Sequence, residues 1–136
     1  MTLVPVDNVE IIQGADKQFT LVVKVKQCND EFTYKDLSAF VAGSGNILEL
    51  LIPGTSAVQS FTLTANANGS KLEVLTAGAG LAGQIRVTLS DLDTASFKVG
   101  KSQNMELIIR EGAGPDYDIS RIQFLKKLDI LAAAVS

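Results

Sequence analysis

Residues 83–109 read GQIRVTLSDLDTASFKVGKSQNMELII, and the fold turns on how this stretch is read. Ile85, Val87 and Leu89 alternate with polar neighbours, and so do Met105, Leu107 and Ile109. Alternation with a period of two puts one face of a strand against a core and the other in water. Between the two runs, residues 90–104 form a polar connector with Asp91, Asp93, Gly100 and Lys101, which keeps Leu92, Phe97 and Val99 as single apolar anchors. The stretch therefore predicts two half-buried strands joined by a long, anchored loop.

The same period recurs on either side. Over residues 17–27, Phe19, Leu21, Val23 and Val25 fall on one face, while Thr20, Lys24 and Lys26 fall on the other with Val22 as the exception. Shorter strands are predicted at 9–12, 39–42, 58–65 with one slip in phase, and 72–75. Residues 46–52 are nearly all apolar around Glu49 and fit a strand or a helical turn, but Pro53-Gly54 stops a helix quickly and the strand is favoured. Turns are expected at 13–16, 28–31, 43–45 and 66–70, with Leu37 dropped singly into the interior. The glycine-rich TAGAGLAG at 76–83 reads as a loop or a single helical turn, because it lacks the Lys-Ser/Thr ending of a phosphate cradle.

Residues 117–136 admit two readings. As a helix, Asp118 would cap the start and the LAAA tail would suit the interior, but the apolar stripe is poor. As a strand, Ile122, Phe124, Leu128 and Ile130 point in while Arg121, Gln123 and Asp129 point out. The strand reading is preferred. The count is then about seven to nine short strands without a long helix, the spacing of an all-β, antiparallel, immunoglobulin-like β-sandwich.

A chain of 136 residues is one domain's worth and buries roughly two-thirds of its unfolded surface, enough for a core without metal or disulfide staples. Its 15 acidic and 12 basic residues are scattered, leaving a net charge of -3 and no basic stripe for phosphates. Lys24 with Lys26, and Lys126 with Lys127, read as solvated faces, so no nucleic-acid partner is expected. The single Cys28 lies in a polar turn and reads as a free thiol in a reducing compartment. The opening MTLVPVDNVE lacks the basic patch and apolar core of a secretory signal, and no apolar run is long enough for a bilayer. Synthesis in the cytoplasm and no membrane partner are expected, and the sequon Asn68-Gly69-Ser70 then marks a tight turn without a glycan.

The chain contains no histidine, which removes Ser-His and Cys-His nucleophile pairs and the commonest transition-metal ligand. Asp91 with Asp93, and Asp116 with Asp118, resemble the start of a calcium loop, but neither continues with its further oxygen ligands. They read as solvated turn residues or caps. There is no tryptophan, and the six phenylalanines with Tyr34 and Tyr117 make a poor sugar platform. No catalytic, cofactor-binding or metal site is expected, and the chain is not read as an enzyme.

Four segments carry a family resemblance: GADKQFTLVVKV (14–25), KDLSAF (35–40), the stretch 83–109, and RIQFLKKLDIL (121–131). In order and pattern they resemble the N-terminal immunoglobulin-like domain of siphophage upper baseplate proteins and related small adaptor domains of phage tails and fibres. Ala39 stands where that pattern usually has glycine. The resemblance supports a closing strand at 121–131. It implies a non-enzymatic structural protein of a tailed bacteriophage virion, made in the host cytoplasm and oligomeric in the particle, which assembles on a larger ring or shell as a tail, baseplate or neck adaptor. A capsid decoration, or cement, protein is the alternative, and a cell-surface or carbohydrate-binding module is a second one.

On this reading residues 1–8 are an extended N-terminal arm, 9–131 the sandwich, and 132–136 a C-terminal tail. Leu3, Val4, Pro5 and Val6 in the arm, with Leu131 and Val135 at the other end, are the candidate partner-docking residues. Apolar ends are costly to leave in water, and a sandwich has edge strands that a partner can extend.

Overall fold

Period-two alternation becomes strands almost wherever it occurs. The computed structural model describes residues 9–26, 32–34, 37–41, 43, 45–75, 83–111, 118–123 and 127–133. Among them are twelve strands and one short helix: β1 (Val9–Ile12), β2 (Lys17–Val22), β3 (Lys24–Lys26), β4 (Phe32–Tyr34), β5 (Ile47–Ile52), β6 (Gln59–Thr62), β7 (Lys71–Leu75), β8 (Gln84–Leu89), α1 (Asp91–Thr94), β9 (Gly100–Gln103), β10 (Glu106–Glu111), β11 (Asp118–Gln123) and β12 (Leu128–Leu131). The protein is mostly β, as the alternation predicts.

One antiparallel sheet has the order β2-β8-β7, with Leu21 and Val74 flanking Ile85, and Phe19 and Leu72 flanking Val87. A second has the order β11-β10-β5-β6, in which Leu107 lies opposite Leu50 and Leu50 opposite Phe61. A third has the order β1-β12-β9, and its β1 and β12 run parallel, with Val9 opposite Leu128 and Ile12 opposite Leu131. β3 and β4 pair with each other. The second and third sheets share two chain segments: Glu106 lies opposite Gln123, and further along Gln103 lies opposite Leu128.

The inward faces meet in one core. Ile11 and Ile130, Leu48, Leu50 and Leu107, and Leu72, Ile85 and Val87 are all at most 1% exposed and belong to a single hydrophobic cluster drawn from all three larger sheets. Each such side chain contributes roughly 1.5–3 kcal/mol relative to exposure, so the alternating stripes supply the driving force. The C-terminal segment adopts the strand alternative in β11 and β12, with Leu128 and Ile130 buried. Leu37 is buried as expected.

Several expectations need correction. Of the three apolar anchors in the connector, only Phe97 is buried; Leu92 is 64% and Val99 49% exposed. Residues 91–94 are a helical turn, which rotates about 100° per residue and directs Asp93 and Thr94 inward, leaving Leu92 outside. Residues 39–41 are not a strand, because Phe40 N donates to Leu37 O at 2.9 Å and closes a turn that buries the Phe40 ring. The strand predicted at 58–65 is shorter, β6 alone over 59–62, with Phe61 buried and Val58 exposed. The long strand predicted at 17–27 divides at Val23, whose N–H donates to Gly83 O before β3 pairs with β4.

Two apolar side chains of the same connector should therefore respond oppositely to truncation. Phe97→Ala is expected to lower the unfolding free energy by about 3–5 kcal/mol, and Leu92→Ala by less than about 0.5 kcal/mol, both read from urea denaturation followed by circular dichroism.

Candidate functional site

The described side chains converge in one place, the connector between β8 and β9. Ser90 has extended backbone and caps α1, its hydroxyl accepting from Asp93 N at 3.4 Å. The helix directs the Asp93 carboxylate away from solvent, and the side chain meets the turn between β6 and β7. Asn66 Nδ2 donates to Asp93 Oδ2 and Asn68 Nδ2 to Oδ1, each at 2.9 Å. The Ser70 hydroxyl donates to Oδ2 at closer range, and the Ser90 hydroxyl does so at 3.3 Å. Ser70 Oγ in turn accepts from Ser90 N at 2.9 Å, so it binds the first orphan donor of the helix as well as the carboxylate.

The turn is shaped to deliver these donors. Asn66 Oδ1 accepts from Asn68 N at 2.9 Å and Ser70 N at 3.0 Å, while Asn66 N donates to Ser70 O and Gly69 N to Asn66 O. Gly69 sits at φ +90°, a left-handed conformation that an L side chain adopts only with strain. Both groups that an N-glycosylation sequon needs, the Asn68 amide and the Ser70 hydroxyl, face Asp93.

Two more connections end at the same connector. Gly14 N donates to Thr94 Oγ1 at 3.1 Å, and the Thr94 hydroxyl donates to Ala15 O at 2.9 Å. Asp91 N donates to Asp16 Oδ1 at 2.8 Å, and Gln13 Nε2 to Phe97 O at 2.7 Å. From the β5–β6 connection, Thr55 N donates to Ser96 O at 2.9 Å, and Lys98 N donates to Pro53 O at 3.1 Å. A Cβ added at Gly54 would collide with Ala57 O, so this connection has no room for a larger residue there.

Asp93 is 8% exposed and Ser70 1%. Burial alone would push the Asp93 carboxyl up, but hydrogen bonds from Ser70, Asn66, Asn68 and Ser90 outweigh it and hold the pKa below the ordinary aspartate value. The solvated-turn reading of Asp93 is thus corrected: it is a buried, fully bonded anion, while Asp91 is exposed in the first turn of α1. Among the described residues no three His, Cys, Asp or Glu side chains are grouped to hold a metal ion. Asp116 lies outside the described residues, as does the Asp118 side chain. The arrangement fastens loops, and its hydroxyl and carboxylate are enclosed by each other.

The Asp93 site was legible in Ser90-Asp91-Leu92-Asp93, an S-x-x-D pattern of the kind that caps helices. Reading the connector at period two concealed it. A shallow groove beside the cluster is lined by Asp16, Lys17, Gln18, Gly69, Thr88 and Ser90, without an aromatic residue. Of the candidate docking residues, Leu131 ends β12, half-buried and opposite Ile12, while Leu3, Val4, Pro5, Val6 and Val135 lie outside the described residues. No described helix is long and apolar enough to cross a membrane. No protein-family model matches the chain, and no curated protein matches it.

Because the folded pKa of Asp93 is depressed, its contribution to stability is full above the pKa of an unfolded aspartate and is lost as pH falls through the folded value. Asp93→Ala should cost about 3 kcal/mol at neutral pH by leaving four side-chain donors short of a partner. That difference from wild type should shrink on acidification below the ordinary aspartate range. Asp91→Ala should cost less than about 1 kcal/mol. Urea midpoints measured across pH check all three.

Proposed function

We propose that this chain is a non-enzymatic structural protein of a tailed bacteriophage particle, built on an immunoglobulin-like β-sandwich and serving as a tail, baseplate or neck adaptor. The observation that carries the reading is strand order. In an immunoglobulin-like sandwich the first sheet contains the order B-E-D and the second G-F-C, extended by C′ in the variable type. With β2 as B, β5 and β6 as C and C′, β7 and β8 as D and E, β10 as F and β11 as G, the sheets β2-β8-β7 and β11-β10-β5-β6 follow that order. β1 then takes the place of a first strand, parallel to the last. This supports the architecture that the resemblance to baseplate adaptor domains implies, and function comes from that resemblance, since the fold alone hosts many functions.

Docking in this reading uses strand edges and chain ends. The β7 edge carries Lys71 and Glu73, which pair at 3.6 Å, and charged edges discourage strand addition. β6 is short, which has the same effect. β1 is an edge strand directly following the arm that bears Leu3, Val4, Pro5 and Val6, and it is the edge we assign to partner contact. The reading places the protein in the virion after synthesis in the host cytoplasm, with other virion proteins as partners.

Quantitative peptide mass spectrometry of gradient-purified particles tests it. The adaptor role predicts the protein at a small fraction of the major capsid protein. A level comparable with the capsid protein would instead indicate a decoration protein, and absence from particles would overturn the virion reading. Deleting residues 1–8 should reduce incorporation while leaving the circular dichroism spectrum and urea midpoint of the isolated protein unchanged; undiminished incorporation would remove the arm from the interface.

A further inference from the structure

Asn68-Gly69 is the pair in which an asparagine side chain is most readily attacked by the backbone nitrogen that follows it, because glycine adds no side chain to hinder approach. In that reaction the lone pair of Gly69 N forms a bond to Asn68 Cγ, its proton passes to water, and the Cγ–Nδ2 bond breaks with loss of ammonia. Water then opens the cyclic imide at either carbonyl, leaving aspartate or isoaspartate at position 68. The net change is one amide and one water converted to a carboxylate and an ammonium ion.

Three contacts oppose each part of this step. The leaving nitrogen, Asn68 Nδ2, donates to Asp93 Oδ1 at 2.9 Å. The attacking nitrogen, Gly69 N, donates to Asn66 O at 3.0 Å. Asn68 N donates to Asn66 Oδ1 at 2.9 Å, which fixes the backbone between them. Position 68 is itself exposed, so water and hydroxide reach it freely. We propose that Asn68-Gly69 is a latent self-modification site, held unreactive by the Asp93 carboxylate and its turn, and that reaction there releases the latch.

The release follows from charge. The product places a second carboxylate where an amide donor met Asp93 Oδ1, and two adjacent carboxylates cannot both ionise without repulsion. The isoaspartate form also inserts a methylene into the backbone of a turn closed by Asn66 N to Ser70 O. Either product removes a donor that holds the β6–β7 connection to α1. The pair is thus stable while the site is intact, and its reaction opens the site.

The test follows deamidation of the full chain at mildly alkaline pH, by intact mass and by peptide mapping of position 68. Native protein should react at least about tenfold more slowly than the same protein in concentrated urea, the protection expected of a locally ordered turn. Asp93→Asn, verified as folded by circular dichroism, should move the native rate toward the urea rate, and Asp91→Asn should leave it unchanged. If Asp93→Asn does not fold, Ser90→Ala, which removes one donor to the carboxylate, takes its place. Equal rates in native buffer and urea, or a variant rate equal to wild type, would overturn the protection. Asn68→Asp, a uniform stand-in for one product, should lower the urea midpoint, and an unchanged midpoint would overturn the release.

Discussion

One buried carboxylate sets the relation among the loops at one end of this protein. Asp93 accepts from Asn66, Asn68, Ser70 and Ser90, and its helix also meets the β1–β2 turn through Thr94 and Asp91. These connections matter because they are where the chain passes between sheets: β1 to β2, β6 to β7, and β8 to β9. The hydrophobic core holds the inner faces together without directionality. Hydrogen bonds to a buried anion add the direction, since a buried charge is tolerated only when its lone pairs are met in the right places.

β1 and β12 run in the same direction along the third sheet. Because the two strands are parallel and in register, Val9 begins the pair at one end and Leu131 ends it at the other. Four paired positions at the usual rise separate these points by about 10 Å. Among the described residues the core cluster runs from Val9 to Ile130.

Much of the fold was legible in the residues. Ile85, Val87 and Leu89, Met105, Leu107 and Ile109, and Leu21 and Val23 are all buried as their alternation predicts. Leu128 and Ile130 resolved the helix-or-strand ambiguity of the C-terminal segment in favour of the strand. The candidate site was less legible. Leu92 looked like an anchor because it is apolar, yet it lies outside, while the polar Asp93 and Thr94 are buried. Hydrophobicity ranks a residue by its own cost of transfer, and a carboxylate becomes an interior residue only when donors from elsewhere in the chain surround it. Asn66, Asn68 and Ser70 lie more than twenty positions from Asp93, so no local window contains the set.

The sequence by itself determined that the chain is mostly β, where most strands run and which of their faces are inward, because period-two patterning is local and each strand carries its own record of the core. It also determined the turn at Asn66 to Ser70 and the cap at Ser90, which depend on side chains bonding to nearby backbone. Tertiary structure alone decided which strands are neighbours, that β1 runs parallel to β12, and that the turn and the cap meet at Asp93. Those outcomes depend on pairings between distant segments, and the alternation that buries a strand is the same whichever partner lies beside it.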